Sequence, residues 1–191
     1  MNRTSSFERD LPKDGSDERV KQDNKSGQEP RQSAAQGTYY RLILNIDGAA
    51  RGNPGHAGIG AVVTDESGGV LLNISEYIGE TTNNIAEYSA LIFSLQAISE
   101  FNPSELRIFS DSELLVHQIN GEYKVKNQNL KVYFGRAKDL LRAYRGIKVY
   151  HIERAKNKEA DKLANKAIDQ FLAGEKDLAK LDDLPQQEQL F

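Results

Sequence analysis

Four acidic residues stand where their carboxylates could act together. Asp47 ends a run of apolar residues that predicts a strand, and Asp111 ends another such run. Because active sites in α/β sheets gather at the carboxyl ends of strands, parallel pairing of the two strands would bring both carboxylates to one edge. Glu87 lies in the first turns of a predicted helix and Asp161 near the start of the last one. The four positions therefore predict a carboxylate cluster.

Such a cluster suits a hard divalent cation. Neighbouring carboxylates repel each other unless a cation neutralises them, and oxygen ligands favour Mg²⁺ or Mn²⁺. A pair of these ions could clamp the attacking and leaving oxygens of a phosphodiester. An Asp at the end of a strand is also a common turn or cap residue, so each position taken alone has a purely structural interpretation.

The local sequences around the four acids carry a more specific signal. They are DGAARGNPG at 47–55, TNNIAE at 82–87, FSDS at 109–112 and NKEAD at 157–161. Taken in this order, the four motifs resemble type 1 ribonuclease H, and the resemblance extends over about residues 39–172.

The resemblance implies a site and an activity. The family's catalytic and metal-binding carboxylates match Asp47, Glu87, Asp111 and Asp161. Two Mg²⁺ ions, for which Mn²⁺ could substitute, would activate a water that attacks the RNA strand of an RNA/DNA hybrid. The expected enzyme is an endonuclease that leaves 3′-hydroxyl and 5′-phosphate ends.

The family's substrate-contacting residues match Gly48, Asn53, Thr82, Asn83 and Asn84. Asn amides can both donate to and accept from sugar hydroxyls and base edges, and a Thr hydroxyl with nearby backbone N–H groups can hold a phosphate. The 2′-hydroxyl distinguishes RNA from DNA, so a selective enzyme should contact it. Glycine allows the backbone close to a ligand, although a tight turn would also explain it.

Two departures from the family pattern stand out. Many members carry a mobile histidine before the last catalytic Asp; here His151 precedes that loop and Arg154 lies within it, so either could take an auxiliary role. Some members also insert a basic helical handle containing Trp, whereas this chain has no Trp. We expect a form without a handle, in which Lys124 to Lys138 supply part of the contact to the DNA strand.

The elements that must position these residues follow from periodicity and turn signals. The predicted order is three strands, a helix, a strand, two helices, a strand and a helix. Tight connections predict an antiparallel meander of the first three strands, and the strand–helix–strand passages place the later strands parallel to the first. The expected fold is α/β: a ribonuclease H-like mixed five-stranded sheet with helices on both faces.

Length and composition limit the organisation of the chain. The 191 residues suffice for one domain with extensions. Residues 1–38 are polar and charged with few apolar groups, which predicts a disordered leader, and 174–191 a flexible acidic tail, around a domain at 39–173. There is no cysteine, and no apolar run long enough for a membrane span or a signal peptide. We expect a cytoplasmic monomer.

Charge is distributed unevenly along the domain. Residues 38–123 carry 3 basic and 11 acidic side chains, whereas 124–166 carry 13 basic and 4 acidic ones. The net charge of the whole chain is −3, so a bulk polycation is excluded. The basic region could follow a phosphate backbone, or it could consist of ordinary solvated helix faces.

The last five residues, QEQLF, resemble the Gln-x-x-Leu-Phe peptides that bind the bacterial sliding clamp. Gln187 would set the register, and Leu190 and Phe191 would anchor in an apolar groove. The alternative is a polar tail that happens to end in two apolar residues.

Two other functions are weighed against the nuclease. A module that only binds nucleic acid would keep the fold but lose metal ligands, whereas all four carboxylates are present. A 3′–5′ exonuclease on the same scaffold typically begins with Asp-x-Glu, whereas Ala49 stands at the third position here. An endoribonuclease on hybrids is the favoured prediction.

Overall fold

A computed structural model describes residues 39–174. The predicted leader, and the predicted tail beyond Gly174, lie outside these residues. The described chain forms, in order, β1 (Arg41–Gly52), β2 (Gly55–Asp65), β3 (Val70–Thr81), α1 (Asn83–Ala97), β4 (Glu105–Ser110), α2 (Glu113–Ile119), α3 (Gln128–Leu141), β5 (Ile147–His151) and α4 (Lys158–Leu172). Short 3₁₀ turns occupy Ser99–Phe101 and Arg154–Lys156.

The strands form one mixed sheet in the order β3-β2-β1-β4-β5. The pairs β1–β2 and β2–β3 are antiparallel, and β1–β4 and β4–β5 are parallel. The predicted meander and the two parallel strands are thus confirmed. The turn between β2 and β3 is closed by Asp65, whose Oδ1 accepts hydrogen bonds from the backbone of Ser67 (2.8 Å) and Gly69 (2.9 Å).

Helices cover both faces of the sheet, as predicted, and two glycines show how closely they approach. A Cβ at Gly48 would lie 2.2 Å from the backbone of Ala86 and Glu87 in α1. A Cβ at Gly60 would lie 2.1 Å from the carbonyl oxygen of Ala160 in α4. Two residues that are directly opposite each other on paired strands point to the same face, and Gly48 is opposite Ile59. Gly60 is the next residue along β2, so it points to the other face. Gly48 and Gly60 therefore point to opposite faces.

The core lies between the centre of the sheet and α1. Leu42, Leu44 and Ile46 alternate along β1 and are fully buried, as are Leu106 and Ile108 of β4. This period of two is what a half-buried strand requires. Helix α1 begins at the N-cap Thr82, whose hydroxyl accepts from the backbone N–H of Ile85 (3.4 Å), and α1 is buried over most of its length.

The prediction that Asp47 ends the first strand was wrong. β1 continues to Gly52, because its antiparallel pairing with β2 extends as far as Gly52 opposite Gly55. Its parallel pairing with β4 nevertheless stops at Ile46 opposite Ser110. Asp47 and Asp111 therefore do follow the end of the parallel ladder, although only Asp111 follows the end of a strand.

Within residues 39–174, each helix is too short or too polar to cross a lipid bilayer.

Candidate active site

Three of the four predicted carboxylates meet in one cavity. Asp47 from β1, Glu87 from α1 and Asp111 after β4 line a space of about 210 Å³. The parallel β1–β4 pairing brings Asp47 beside Asp111, and the close approach at Gly48 brings α1 and Glu87 to the same edge. The cavity is also lined by Gly48, Ala49, Ala50, Asn83, Arg154 and Asn165.

Glu87 is almost fully buried, with 5% of its surface exposed. Its Oε2 accepts a hydrogen bond from the backbone N–H of Gly48 (3.2 Å). Burial raises the pKa of Glu87 well above its ordinary range, and the nearby charges of Asp47 and Asp111 raise it further. Gly48 thus serves this site through its N–H and through its lack of a side chain, which leaves room for α1.

Asp47 is 4% exposed and has a similar environment. Burial, followed by the charges of Asp111 and Asp161, raises the pKa of Asp47 to about 7. A buried carboxylate is costly to ionise without a compensating cation. These two residues therefore mark a place where a bound cation would be favourable.

Asp161 and Arg154 form an ion pair beside the cavity, between Arg154 Nη2 and Asp161 Oδ1. The hydrogen bond to Asp161 raises the pKa of Arg154 above its ordinary value. Within the described chain, Asp161 and His151 are not among the residues that line the cavity, whereas Arg154 is. His151 is exposed at the end of β5, as the sequence suggested.

The chemistry of the donor set fits a hard divalent cation. All the acidic ligands offered are carboxylate oxygens, and burial together with neighbouring carboxylates raises the pKa of two of these acids, Asp47 and Glu87. In residues 39–174, no three Asp, Glu or His side chains are already arranged around one ion position. The carboxylate of Asp161 pairs with Arg154, which is consistent with the absence of such a group from these residues.

A second cavity gathers the predicted substrate residues. Asn53, Thr82 and Asn84 line a space of about 250 Å³, together with Ile85, Asn127, Asn129 and Leu130. Asn53 Oδ1 accepts from the backbone N–H of Asn83 (3.2 Å), which ties the β1–β2 turn to the start of α1. Asn83 itself faces the carboxylate cavity. The two cavities therefore flank the first residues of α1.

A third, more apolar cavity of about 570 Å³ continues from the second one, sharing Asn84 and Asn127 with it. Lys124 and Lys126 line it beside the exposed ring of Tyr123. The predicted basic stretch is not a single surface, because Lys138 donates to the carbonyl oxygen of Ile119 (3.3 Å) and lines a separate cavity near β5.

Sequence reasoning missed Asn127 and Tyr123. Asn127 is the N-cap of α3, and its side chain accepts from the backbone N–H of Leu130 (3.0 Å). An Asn three residues before a buried Leu is a recognisable cap signal. No local signal indicates that this cap lines the same cavity as Asn84, because that depends on how α1 and α3 pack.

Comparisons with known proteins agree with this geometry. A family model described as "Reverse transcriptase-like" matches residues 45–167. The Bifunctional protein Rv2228c of Mycobacterium tuberculosis is 39% identical over 145 residues, which are 74% of this chain and 40% of that relative. Ribonuclease HI of Halobacterium salinarum is 39% identical over 129 residues, 68% of this chain and 65% of the relative. The chain thus spans less than two thirds of the length of either.

Other relatives are matched over nearly their whole length. Ribonuclease H of Clostridium botulinum is 31% identical over 156 residues, 69% of this chain and 97% of the relative. The structure of LC11-RNase H1 in complex with RNA/DNA hybrid has a TM-score of 0.66 at 47% identity, covering 69% of this chain and 99% of that one. RNase H1 of Halobacterium salinarum has a TM-score of 0.65 at 38% identity, with 68% and 98% covered. A shared fold, a family model across most of the domain and nearly complete coverage of a ribonuclease H together show that this chain belongs to the ribonuclease H family.

Proposed function

We propose that this protein is an endoribonuclease that hydrolyses the RNA strand of RNA/DNA hybrids. The observation that carries the proposal is the convergence of Asp47, Glu87 and Asp111 in one cavity, directly beside a cavity lined with Asn and Thr side chains. The similar LC11-RNase H1 has been solved in complex with RNA/DNA hybrid, which supports this substrate.

The carboxylates are assigned to metal binding. Asp47, Glu87, Asp111 and Asp161 would hold two Mg²⁺ ions, or Mn²⁺ in their place, which when bound supply an activated water and neutralise charge at the phosphodiester. The N–H of Gly48 orients Glu87, and burial keeps bulk water from weakening the local field. Attack on phosphorus with departure of the 3′ oxygen would leave 3′-hydroxyl and 5′-phosphate ends.

The asparagines at the start of α1 are assigned to the hybrid. Asn83 faces the carboxylate cavity, and Asn84 faces the cavity next to it. Their amides can contact sugar hydroxyls and minor-groove base edges, which allows the RNA strand to be distinguished by its 2′-hydroxyl. Gly48, Asn53 and Thr82 complete the substrate set, with Thr82 placed to hold a phosphate together with neighbouring N–H groups.

The DNA strand is assigned to the third cavity. Lys124 and Lys126 can neutralise phosphates there, and the exposed ring of Tyr123 offers a flat apolar face to a sugar or base. This arrangement would replace a longer basic handle.

The auxiliary role is assigned to Arg154 in preference to His151, because only Arg154 lines the carboxylate cavity. Its guanidinium pairs with Asp161, and Arg154 is the one basic residue among the described residues that line the cavity. It can partly neutralise the charge of the carboxylates, and it can contact the phosphate group at which cleavage takes place.

Two further proposals involve the terminal segments, which lie outside the described part of the chain. The domain at 39–173 would carry the catalysis, with 1–38 as a leader. Gln187, Leu190 and Phe191 would bind a sliding clamp and deliver the enzyme to replication forks. A pull-down with purified clamp tests this: the intact chain should be retained and L190A/F191A released, and absence of retention of the intact chain would end the idea.

The function is tested by cleavage of an end-labelled RNA/DNA hybrid with Mg²⁺, Mn²⁺ or EDTA, beside single-stranded RNA and double-stranded RNA. We expect metal-dependent cutting confined to the RNA of the hybrid, and its loss in Asp111→Asn. Hybrid binding should persist in that variant, because the substitution removes charge but little volume. Binding of the hybrid by wild-type protein without cutting under either metal would indicate a recognition module instead.

A further inference from the structure

Asn157 stands at the N-cap of α4 but does not cap the helix. The side chains of three other N-cap residues in the described chain, Thr82, Ser112 and Asn127, each accept a hydrogen bond from a backbone N–H of the first turn. The side chain of Asn157 makes no such bond. A capping bond stabilises a helix, so the side chain of Asn157 lacks a favourable local partner in the first turn of α4.

The Asn157 amide instead points into the carboxylate site. It is 1% exposed, and its Nδ2 donates to Asp111 Oδ1 (2.7 Å) and to the carbonyl oxygen of Ile46 (2.8 Å). Its Oδ1 accepts from Asn45 Nδ2 (3.3 Å). Ile46 and Asn45 of β1 therefore bind the nitrogen and the oxygen of this amide, respectively. The two bonds give the amide one defined orientation.

Asp111 needs such a partner. It is only partly buried, it follows the last residue of β4, and it shares a cavity with two other carboxylates. Mutual repulsion would turn its side chain away from Asp47 and Glu87 towards solvent. A neutral amide can hold one oxygen of Asp111 without bringing a positive charge that would compete with a bound ion.

We propose that Asn157 is a positioning residue that holds the Asp111 carboxylate in the orientation needed to bind the divalent cation. This inference rests on the proposed function, because it assigns Asp111 to the metal site. Groups that orient metal ligands typically contribute 10- to 100-fold to metal affinity.

The test is calorimetric titration of the hybrid-free full chain with Mg²⁺ alone, which does not depend on activity. Asn157→Ala should weaken Mg²⁺ binding by about tenfold or more. Asn45→Ala is the matched control: it removes a bond to Asn157 but none to Asp111, so it should lower the melting temperature with little change in Mg²⁺ affinity. A merely structural role for Asn157 would give both variants the second pattern, and that result would overturn the proposal.

A second variant covers the case in which Asn157→Ala does not fold. In Asn157→Ser the single hydroxyl hydrogen cannot serve Ile46 and Asp111 together, so Mg²⁺ affinity should again fall. Combination with Asp111→Asn should show no further loss, because the effect acts through that carboxylate. If both Asn157 variants unfold, the role is structural and the proposal fails. If wild-type protein binds no Mg²⁺, the proposed function itself fails.

Discussion

Asp47 and Glu87 are almost fully buried, with exposed fractions of 4% and 5%. Their surroundings therefore determine the protonation of their carboxyl groups. Burial raises the pKa of both, the charge of Asp111 raises both further, and the charge of Asp47 also raises the pKa of Glu87. The interior of the site therefore favours a protonated acid or a bound cation over a bare carboxylate. At the residue scale, the site is unfavourable for folding in the absence of metal.

The free energy of unfolding of the metal-free protein should therefore depend on pH, and this can be measured in EDTA. The pKa of Asp47 is about 7 in the folded chain against 3.8 as its ordinary value, so the folded state binds the proton more tightly. Its contribution to the free energy of unfolding is therefore highest at low pH and falls as pH rises between these two values. Asp47→Asn should be more stable than wild type at pH 8, and this advantage should shrink towards pH 4.

Urea unfolding at several pH values checks this expectation. Asp169→Asn is the control. Asp169 is an exposed residue of α4 that pairs with Arg51, so its substitution should give no comparable pH-dependent gain in stability. An Asp47→Asn variant whose stability difference from wild type is the same at pH 4 and pH 8 would contradict the expectation.

Arg154 and His151 are also separable at this scale. Arg154→Gln should slow hybrid cleavage, since it removes the one basic side chain among the described residues that line the carboxylate cavity. His151→Ala should cleave at nearly the wild-type rate. Single-turnover cleavage rates distinguish the two, and the opposite ranking would restore the auxiliary role to His151.

The elements place these residues through close approach of helices to the sheet. α4 crosses β2 at Gly60, and α1 crosses β1 at Gly48, each too closely for a side chain. The carboxylates belong to different elements, so their spacing depends on these two crossings. Small residues in the strands are therefore part of the architecture of the site.

Gly60→Ala should destabilise the protein by roughly 1–3 kcal/mol or more, because its Cβ would overlap the backbone of Ala160. Gly135→Ala in α3 is the matched control: apart from the backbone of its own helix, nothing in the described chain lies within 4 Å of the added Cβ, and replacing a helical glycine should stabilise by about 0.5–1 kcal/mol. Chemical denaturation measures both. Equal effects of the same sign would contradict the close approach.

At the scale of the whole molecule, charge is segregated between an acidic cluster and basic residues of the later helices and turns. Lys124 and Lys126 line the cavity beyond the α1 asparagines, whereas Lys138 and Lys148 line another cavity near β5. A hybrid bound across the first three cavities would meet the first pair of lysines and not the second.

K124A/K126A should therefore weaken hybrid binding and reduce the slope of log affinity against log salt by about 1–2. K138A/K148A removes the same charge elsewhere and should leave both quantities nearly unchanged. Fluorescence anisotropy over a range of salt concentrations measures them. Equal losses in the two variants would mean that binding responds to net charge alone.

Much of the fold follows from local patterns. The apolar run before Asp47 predicted the central strand, and the order of elements predicted the mixed sheet, because connection length constrains pairing. The end of β1 was misplaced, since pairing with β2 carries it beyond the apolar run. Glycine commonly ends a helix, so Gly146 predicts the end of α3, whereas the helix already ends at Leu141.

The candidate site divides in the same way. Asp47, Glu87, Asp111 and Asp161 could be singled out from the sequence, because each stands in a short local motif and the four motifs together resemble those of type 1 ribonuclease H. The sequence did not predict that Asp161 pairs with Arg154. It also did not predict that the Asn157 amide bonds to Asp111 and not to its own helix. These contacts join residues from separate elements, and burial and repulsion among them act only once packing has brought the elements together.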